Sequence, residues 1–258
     1  MTSETTRVTS PDNPLLIKLR RLLRDGASYR KAGEVWIEGD HLCRAALAHG
    51  RAVSQAVVSE SGWREPTLRA LARPAARTVI VADALFAALS ALESPARIGF
   101  LVLLEAVPPI EPRSSSMVLD RLQDAGNVGS MLRSAAAFGV PQVLALKGTV
   151  ALWSPTVLRA GMGAHFALRL IEGLAADDLE RLEVPLVATS AHAGEVLHRA
   201  AVPERCAWVF GHEGQGVDPA LQARCALTVH IAQPGGQESL NAAAAAAICL
   251  HESARRRG

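Results

Sequence analysis

Apolar residues recur along this chain in short runs, and their period switches repeatedly between that of a helix and that of a strand. Between Asn13 and Asp25, Leu15, Leu16, Leu19, Leu22 and Leu23 fall at helical spacing with Lys18, Arg20, Arg21 and Arg24 around them, which predicts an amphipathic helix ended by Gly26. Apolar runs at 35–38, 53–59, 78–81 and 98–104 read as strands, and 41–49, 67–72 and 83–89 as helices. Residues 1–12 are rich in Ser and Thr, and a frayed start is expected. The alternation restarts after 116. Strands are predicted at 117–119, 142–146, 166–170, 186–189, 207–210 and 227–231, and helices at 128–138, 154–161, 177–182, 219–224 and 239–255. The runs at 186–189 and 207–210 are apolar enough to be buried on two faces, as in a parallel sheet. The fold class expected is therefore α/β: a small N-terminal α/β domain and a C-terminal α/β domain with a parallel sheet.

The two are separated by 106–116, where Pro108, Pro109 and Pro112 stiffen the chain and Ser114, Ser115 and Ser116 solvate it. The expected partition is 1–105, a linker at 106–116, and 117–258.

Composition narrows the reading. With 258 residues, 49% of them hydrophobic, the chain can bury a sizeable core, and disorder is not expected. A formal charge of only +2 gives no global nucleic-acid signal, so local basic clusters matter more. Cys43, Cys206, Cys225 and Cys249 have no paired spacing. They argue against a zinc site or a disulfide framework and suit a reducing cytoplasm. No apolar run approaches about 20 residues, so no membrane span is expected, and the polar start lacks the apolar core of a signal peptide.

Three loops stand at predicted strand ends, where an open α/β sheet binds ligands. The first runs Asp120-Arg-Leu-Gln-Asp-Ala-Gly-Asn-Val-Gly-Ser-Met-Leu-Arg133, the second Phe210-Gly-His-Glu-Gly-Gln-Gly216, the third Ile231-Ala-Gln-Pro-Gly-Gly-Gln-Glu-Ser-Leu-Asn241. Each sets glycines beside Asn, Ser, Glu or Arg just before a helix. Taken singly, each has a plain explanation. The second is an ordinary glycine turn, Asn127 and Ser239 are helix N-caps, and Arg133 is a solvated surface charge. There is no G-x-G-x-x-G after the first strand and no G-K-S/T, so dinucleotide and P-loop readings fail.

In this order, however, the three loops resemble the signature motifs of the SpoU-type (TrmH-like) RNA 2′-O-ribose methyltransferases of the SPOUT class. The N-x-G-x-x-x-R run to F-G is Asn127, Gly129, Arg133 and Phe138-Gly139. The G-x-E-G-x-G motif is Gly211 to Gly216, and S-L-N is Ser239-Leu240-Asn241. The resemblance covers about 117–255, and more loosely the N-terminal half, which looks like the family's small RNA-binding domain, with Asn13-Pro14 and Glu38-Gly39. Two places depart from the family pattern. Asp124-Ala-Gly126 stands where Asp-Pro usually precedes the asparagine, and Ile231-Ala-Gln233 stands where Ile-Pro-Met is usual, the proline being displaced to Pro234.

The resemblance implies a trefoil-knotted C-terminal domain and S-adenosylmethionine held largely by backbone, with Gly211, Ile231 and Leu240 as contacts and Thr189 as a further candidate. It implies methyl transfer to a ribose 2′-hydroxyl. Arg133 would stabilise the developing alkoxide, because a guanidinium is too basic to act as a free base. Asn127, Glu213, Ser239 and Asn241 would be the remaining catalytic or loop-holding residues. The expected partners are structured RNA, ribosomal before transfer RNA, and a second copy of the chain in a homodimer, where Arg133 of one subunit would complete its partner's site. Phosphate contacts are expected from Lys18, Arg20, Arg21, Arg24, Arg30 and Lys31, and secondarily from Arg255, Arg256 and Arg257. With aromatics at 4%, recognition by shape is expected over base stacking. The alternative readings are a tRNA methyltransferase, or a non-catalytic RNA-binding protein on the same scaffold, since fold does not fix function.

Overall fold

The computed structural model describes residues 4–90, 95–191, 193–236 and 239–257. They form two compact units, Met1–Ala106 with Trp153–Phe166, and Val107–Leu152 with Ala167–Gly258.

The first unit has β1 (Glu4–Val8), α1 (Pro14–Arg24), α2 (Tyr29–Ala32), β2 (Glu34–Glu38), α3 (Asp40–Ala48), β3 (Val53–Ser59), α4 (Glu60–Arg64), α5 (Pro66–Ala72), β4 (Arg77–Val81), α6 (Asp83–Ala87) and β5 (Ile98–Leu103). Its five strands lie in the order β1-β4-β3-β5-β2. The first three are mutually parallel, and β5 runs antiparallel to both its neighbours. The segment expected to fray is therefore an edge strand in place. Of Thr5 to Val8 only Val8 is buried, so the backbone ladder to β4 holds β1 more than side-chain packing does. α1 starts where Asn13 accepts a hydrogen bond from the Leu15 amide at 2.9 Å and Pro14 takes the first helical position. It buries Leu16, Leu19 and Leu22. Gly99 on β5 is a glycine because a Cβ there would lie 2.3 Å from the Trp36 ring.

The second unit is one seven-stranded sheet with every pairing parallel. In chain order it holds β6 (Ser116–Leu119), α7 (Ala125–Ala137) and β7 (Gln142–Leu146). Helix α8 (Pro155–Gly161) then belongs to the first unit. There follow β8 (Arg169–Leu174), β9 (Leu186–Ser190), β10 (Glu195–Val196), β11 (Ala207–Phe210), α9 (Pro219–Gln222), β12 (Leu227–His230) and α10 (Ala242–Arg257). The strand order β10-β12-β9-β11-β6-β7-β8 changes direction at the β6–β11 junction, the place where such sheets take ligands beyond their carboxyl ends.

Side chains alternate across this sheet. Val118, Leu144, Ile171 and Val209 pack with Ile110 and Leu221 on one face. On the other, α10 lies over Trp208, whose indole donates to Ser253 Oγ at 2.9 Å. Burying an aromatic of this size removes about 150–250 Å² from water, and the hydrogen bond satisfies its one polar atom. α10 also packs on α7, where His251 meets the Phe138 ring edge-on with centroids 5.5 Å apart.

The proline-rich stretch before β6 is tied down. Glu111 N donates to the fully buried Gln142 Oε1 at 2.7 Å, Gln142 Nε2 donates to Ser116 Oγ at 2.8 Å, and Ile110 is buried.

Candidate active site

The carboxyl ends of β6, β11 and β12 each open into one of the three loops. α7 begins at Ala125, three residues before the expected helix start, because Asp124 rather than Asn127 is the cap: its Oδ1 accepts from the Asn127 amide at 2.6 Å. Asn127 is thereby set on the first turn with its side-chain amide free to reach other loops. α10 likewise begins at Ala242, with Asn241 capping it. Its Oδ1 accepts from Ala243 N at 2.9 Å and Ala244 N at 3.2 Å, a role expected of Ser239. Ser239 stands exposed before that cap.

The second loop folds on itself, with Gly216 N donating to His212 O at 2.8 Å. Two of its glycines are required by the backbone. A Cβ at Gly211 would sit 2.0 Å from Val217 N, and Gly216 has φ +70°. The closed turn presents Glu213 to the first loop, where its carboxylate accepts from Gln123 N at 3.3 Å and Asp124 N at 3.2 Å. Partial burial pushes the Glu213 pKa up. Hydrogen bonds from its own amide, those of Asp124 and Gln123 and the Asn127 side chain outweigh that, so the carboxyl lies below its ordinary value.

Asn127 joins the three loops. Its Nδ2 donates to Glu213 Oε1 at 3.5 Å, and its Oδ1 accepts from Asn241 Nδ2 at 2.8 Å across 114 positions of sequence. Asn127, Glu213 and Asn241 thus form one cluster. Arg133 is not part of it. It lies six residues further along α7, roughly 240° round the helix at about 100° per residue, and it is exposed. Among the described residues it makes no hydrogen bond or ion pair.

Of the residues expected to hold a cofactor, Thr189, Gly211 and Ile231 fall at the carboxyl ends of the adjacent strands β9, β11 and β12. Thr189 Oγ1 is already engaged, donating to Val209 O at 3.0 Å. Leu240 is 38% exposed, unusual for so large an apolar side chain. Gln237 and Glu238 of the third loop lie outside the described residues.

The sequence profile described as the SpoU rRNA Methylase family matches residues 114–251. The chain belongs to that family. A SpoU relative from Bacillus subtilis, the 23S rRNA (guanosine(2553)-2′-O)-methyltransferase RlmP, is 28% identical over 224 residues, which is 86% of this chain and 88% of the relative. Among solved structures, an RNA 2′-O ribose methyltransferase is 32% identical, with a TM-score of 0.80 over 97% of this chain and 99% of the other. The SpoU methyltransferase AviRb from Streptomyces viridochromogenes, in complex with AdoMet, superimposes with a TM-score of 0.86 at 25% identity, covering 95% and 98%. The fold of this SpoU chain thus matches known members over nearly its whole length.

The basic residues singled out in the first unit divide. Lys18 is paired with Glu34, and Arg20 donates to Pro11 O at 2.8 Å. Arg30 stacks over the Tyr29 ring with its guanidinium 5.6 Å from the centroid. Arg21, Arg24, Arg30 and Lys31 are exposed. At the other end of the chain, Arg255 and Arg256 both donate to Glu252, and Arg256 also donates to Ala200 O at 2.6 Å and Leu197 O at 3.0 Å. Arg256 thus anchors α10. Among the described residues no group of three His, Cys, Asp or Glu is placed to hold a metal ion. No helix among them is long and apolar enough to cross a membrane.

Motif spacing did not single out Asp120 and Arg121. The signal was present, in that a carboxylate and a guanidinium follow directly on the apolar strand β6.

Proposed function

We propose that this chain transfers a methyl group from S-adenosylmethionine to a ribose 2′-hydroxyl of ribosomal RNA. The observation that carries the reading is the bridge made by Asn127 to Glu213 and Asn241, which brings the three family loops to one point at the carboxyl edge of the parallel sheet. The AdoMet complex of AviRb and the 23S rRNA named for RlmP support the choice of cofactor and substrate. The residues present fit the cofactor. Gly211 leaves no Cβ where the second loop closes, exposed Leu240 and half-buried Ile231 offer apolar contact, and a Cβ at Gly235 or Gly236 would meet nothing within 4 Å among the described residues.

When bound, S-adenosylmethionine supplies a methyl already activated by its positive sulfur. The chain orients the hydroxyl and stabilises the negative charge that develops as its proton passes to water. Arg133 does this by donating hydrogen bonds to the 2′-oxygen while keeping its own proton. Asn127, Glu213 and Asn241 hold the loops, and Ser239 stands beside the cofactor loop. The separation of Arg133 from that cluster favours a homodimer in which Arg133 of one subunit serves the site of the other. The N-terminal unit grips structured RNA through Arg21, Arg24, Arg30 and Lys31, with Lys18 and Arg20 behind them. The path from β12, at one side of the sheet, back to α7 beside β6 is read as the family's knot, and the setting as the cytoplasm.

Calorimetric titration with S-adenosylmethionine, followed by mass-spectrometric mapping of 2′-O-methylated nucleosides in ribosomal and transfer RNA treated with the protein, tests the proposal. Cofactor binding with a new mark on ribosomal RNA is expected. A mark confined to transfer RNA would move the substrate, and absence of cofactor binding would overturn the enzyme reading.

A further inference from the structure

Asp120 directly follows β6 at the point where the sheet reverses order, and the residue is 2% exposed. The next residue, Arg121, has φ 59°. Only one other non-glycine residue among those described is left-handed, Met162, and it caps a helix. Arg121 caps nothing. A left-handed arginine costs about 1 kcal/mol or more and persists only where surroundings enforce it. Here the turned backbone brings the guanidinium back onto its own neighbour. Nε donates to Asp120 Oδ1 at 2.9 Å and Nη2 to Oδ2 at 3.1 Å, while Nη1 donates to Gln215 Oε1 at 3.0 Å. Asp120 Oδ2 also accepts from Asp218 N at 2.7 Å. One carboxylate–guanidinium pair therefore grips the C-terminal end of the second loop, at Gln215 and at Asp218 just beyond it. The pair lines a cavity of about 400 Å³.

We propose that Asp120 and Arg121 are positioning residues that lock the Gly211–Val217 loop against the Asn127 loop and so pre-form the cofactor site. The inference rests on the functional reading above for the ligand, but not for the clamp itself. An open loop cannot present Gly211, and apparent affinity falls in proportion to the closed fraction.

Two variants test it. Arg121→Lys keeps a charge for Asp120 but loses the fork that also reaches Gln215, and Gln215→Ala removes the far anchor without leaving a buried charge alone. In each, amide hydrogen exchange of Gly216 and Asp218 in the ligand-free protein should quicken about tenfold, with exchange in β6 and β11 unchanged. S-adenosylmethionine dissociation constants should rise about tenfold while kcat at saturating cofactor stays within about twofold. Unchanged loop exchange in both variants overturns the clamp. Faster exchange with unaltered cofactor affinity overturns its role in positioning. If the wild type binds no S-adenosylmethionine yet the loop still loosens, the clamp stands and the functional reading falls.

Discussion

Glu213 accepts backbone hydrogen bonds from two residues of a neighbouring loop, and its chemistry follows from that. Its folded pKa is depressed, so the contact contributes fully above the ordinary value of 4.5 and is lost as pH falls through the lower folded value. Titration of the Glu213 side-chain carbon by NMR should give a midpoint below 4.5. Glu213→Gln should raise the cofactor dissociation constant without unfolding the protein. Arg133 makes the opposite case, being exposed on α7 and away from the loop cluster. Arg133→Ala should reduce methyl transfer at least about 100-fold, the scale of one lost donor to a developing oxyanion, while calorimetry shows cofactor affinity within about twofold. Wild-type turnover in that variant would remove the assignment. The bland reading of Asn127 as a cap failed because Asp124, three residues earlier, already fills that role. Asp120 and Arg121 escaped notice because their partners lie more than ninety positions away, at Gln215 and Asp218.

At the scale of elements, α10 is held at both ends. Asn241 caps its first turn and ties it to Asn127, and Glu252 with Arg256 fastens its last turn to Leu197 and Ala200. Asn241→Ala removes the cap, which should lower stability by about 1 kcal/mol in thermal unfolding, and should slow methyl transfer besides. The Glu252 carboxyl is held down to about 2 by hydrogen bonds from Arg255 and Arg256. The Glu252–arginine pairing therefore contributes fully above about pH 4.5 and is lost as acid approaches 2; far-UV circular dichroism between pH 5 and about 2 should show the last turn of α10 fraying late in that range. Elements were legible where local signals were strong. β11 is a continuous apolar run, β7 is one after Gln142, and α1 has an asparagine cap and a leucine stripe. β1 was not legible, because its sequence is polar and its place comes from a ladder to β4, some seventy positions on. The strand expected at 166–170 is a 3-10 turn at Ala164–Ala167 followed by β8 from Arg169. The apolar residues Phe166, Leu168, Leu170 and Ile171 run through both, so hydropathy could not mark the join.

For the molecule as a whole, the two units carry separate expectations. In the first, four exposed cations on and after α1 suit a phosphate backbone. RNA binding should therefore weaken steeply with salt, with a log–log slope that falls by about 1 for each of Arg21, Arg24 and Arg30 replaced by Ala. In the second, a shared site predicts complementation. Mixing Arg133→Ala with Glu213→Ala protein should restore methyl transfer that neither shows alone, and failure under conditions where light scattering reports mixed dimers would refute the shared arrangement. The seven-stranded sheet was legible as parallel because its inner strands β9 and β11 are mostly apolar on both faces. The strand order was not, since β6 neighbours β11 only through contacts some ninety residues apart.

The Asn127–Asn241 bridge has a consequence in time. The first loop is made 114 positions before Asn241, and chain contacts of such long range form slowly. A chain that has folded its sheet but not yet docked Asn241 has the scaffold without the finished centre. Competence is therefore acquired in a single late event, and a polypeptide that stops short of α10 would be well packed in part and inert.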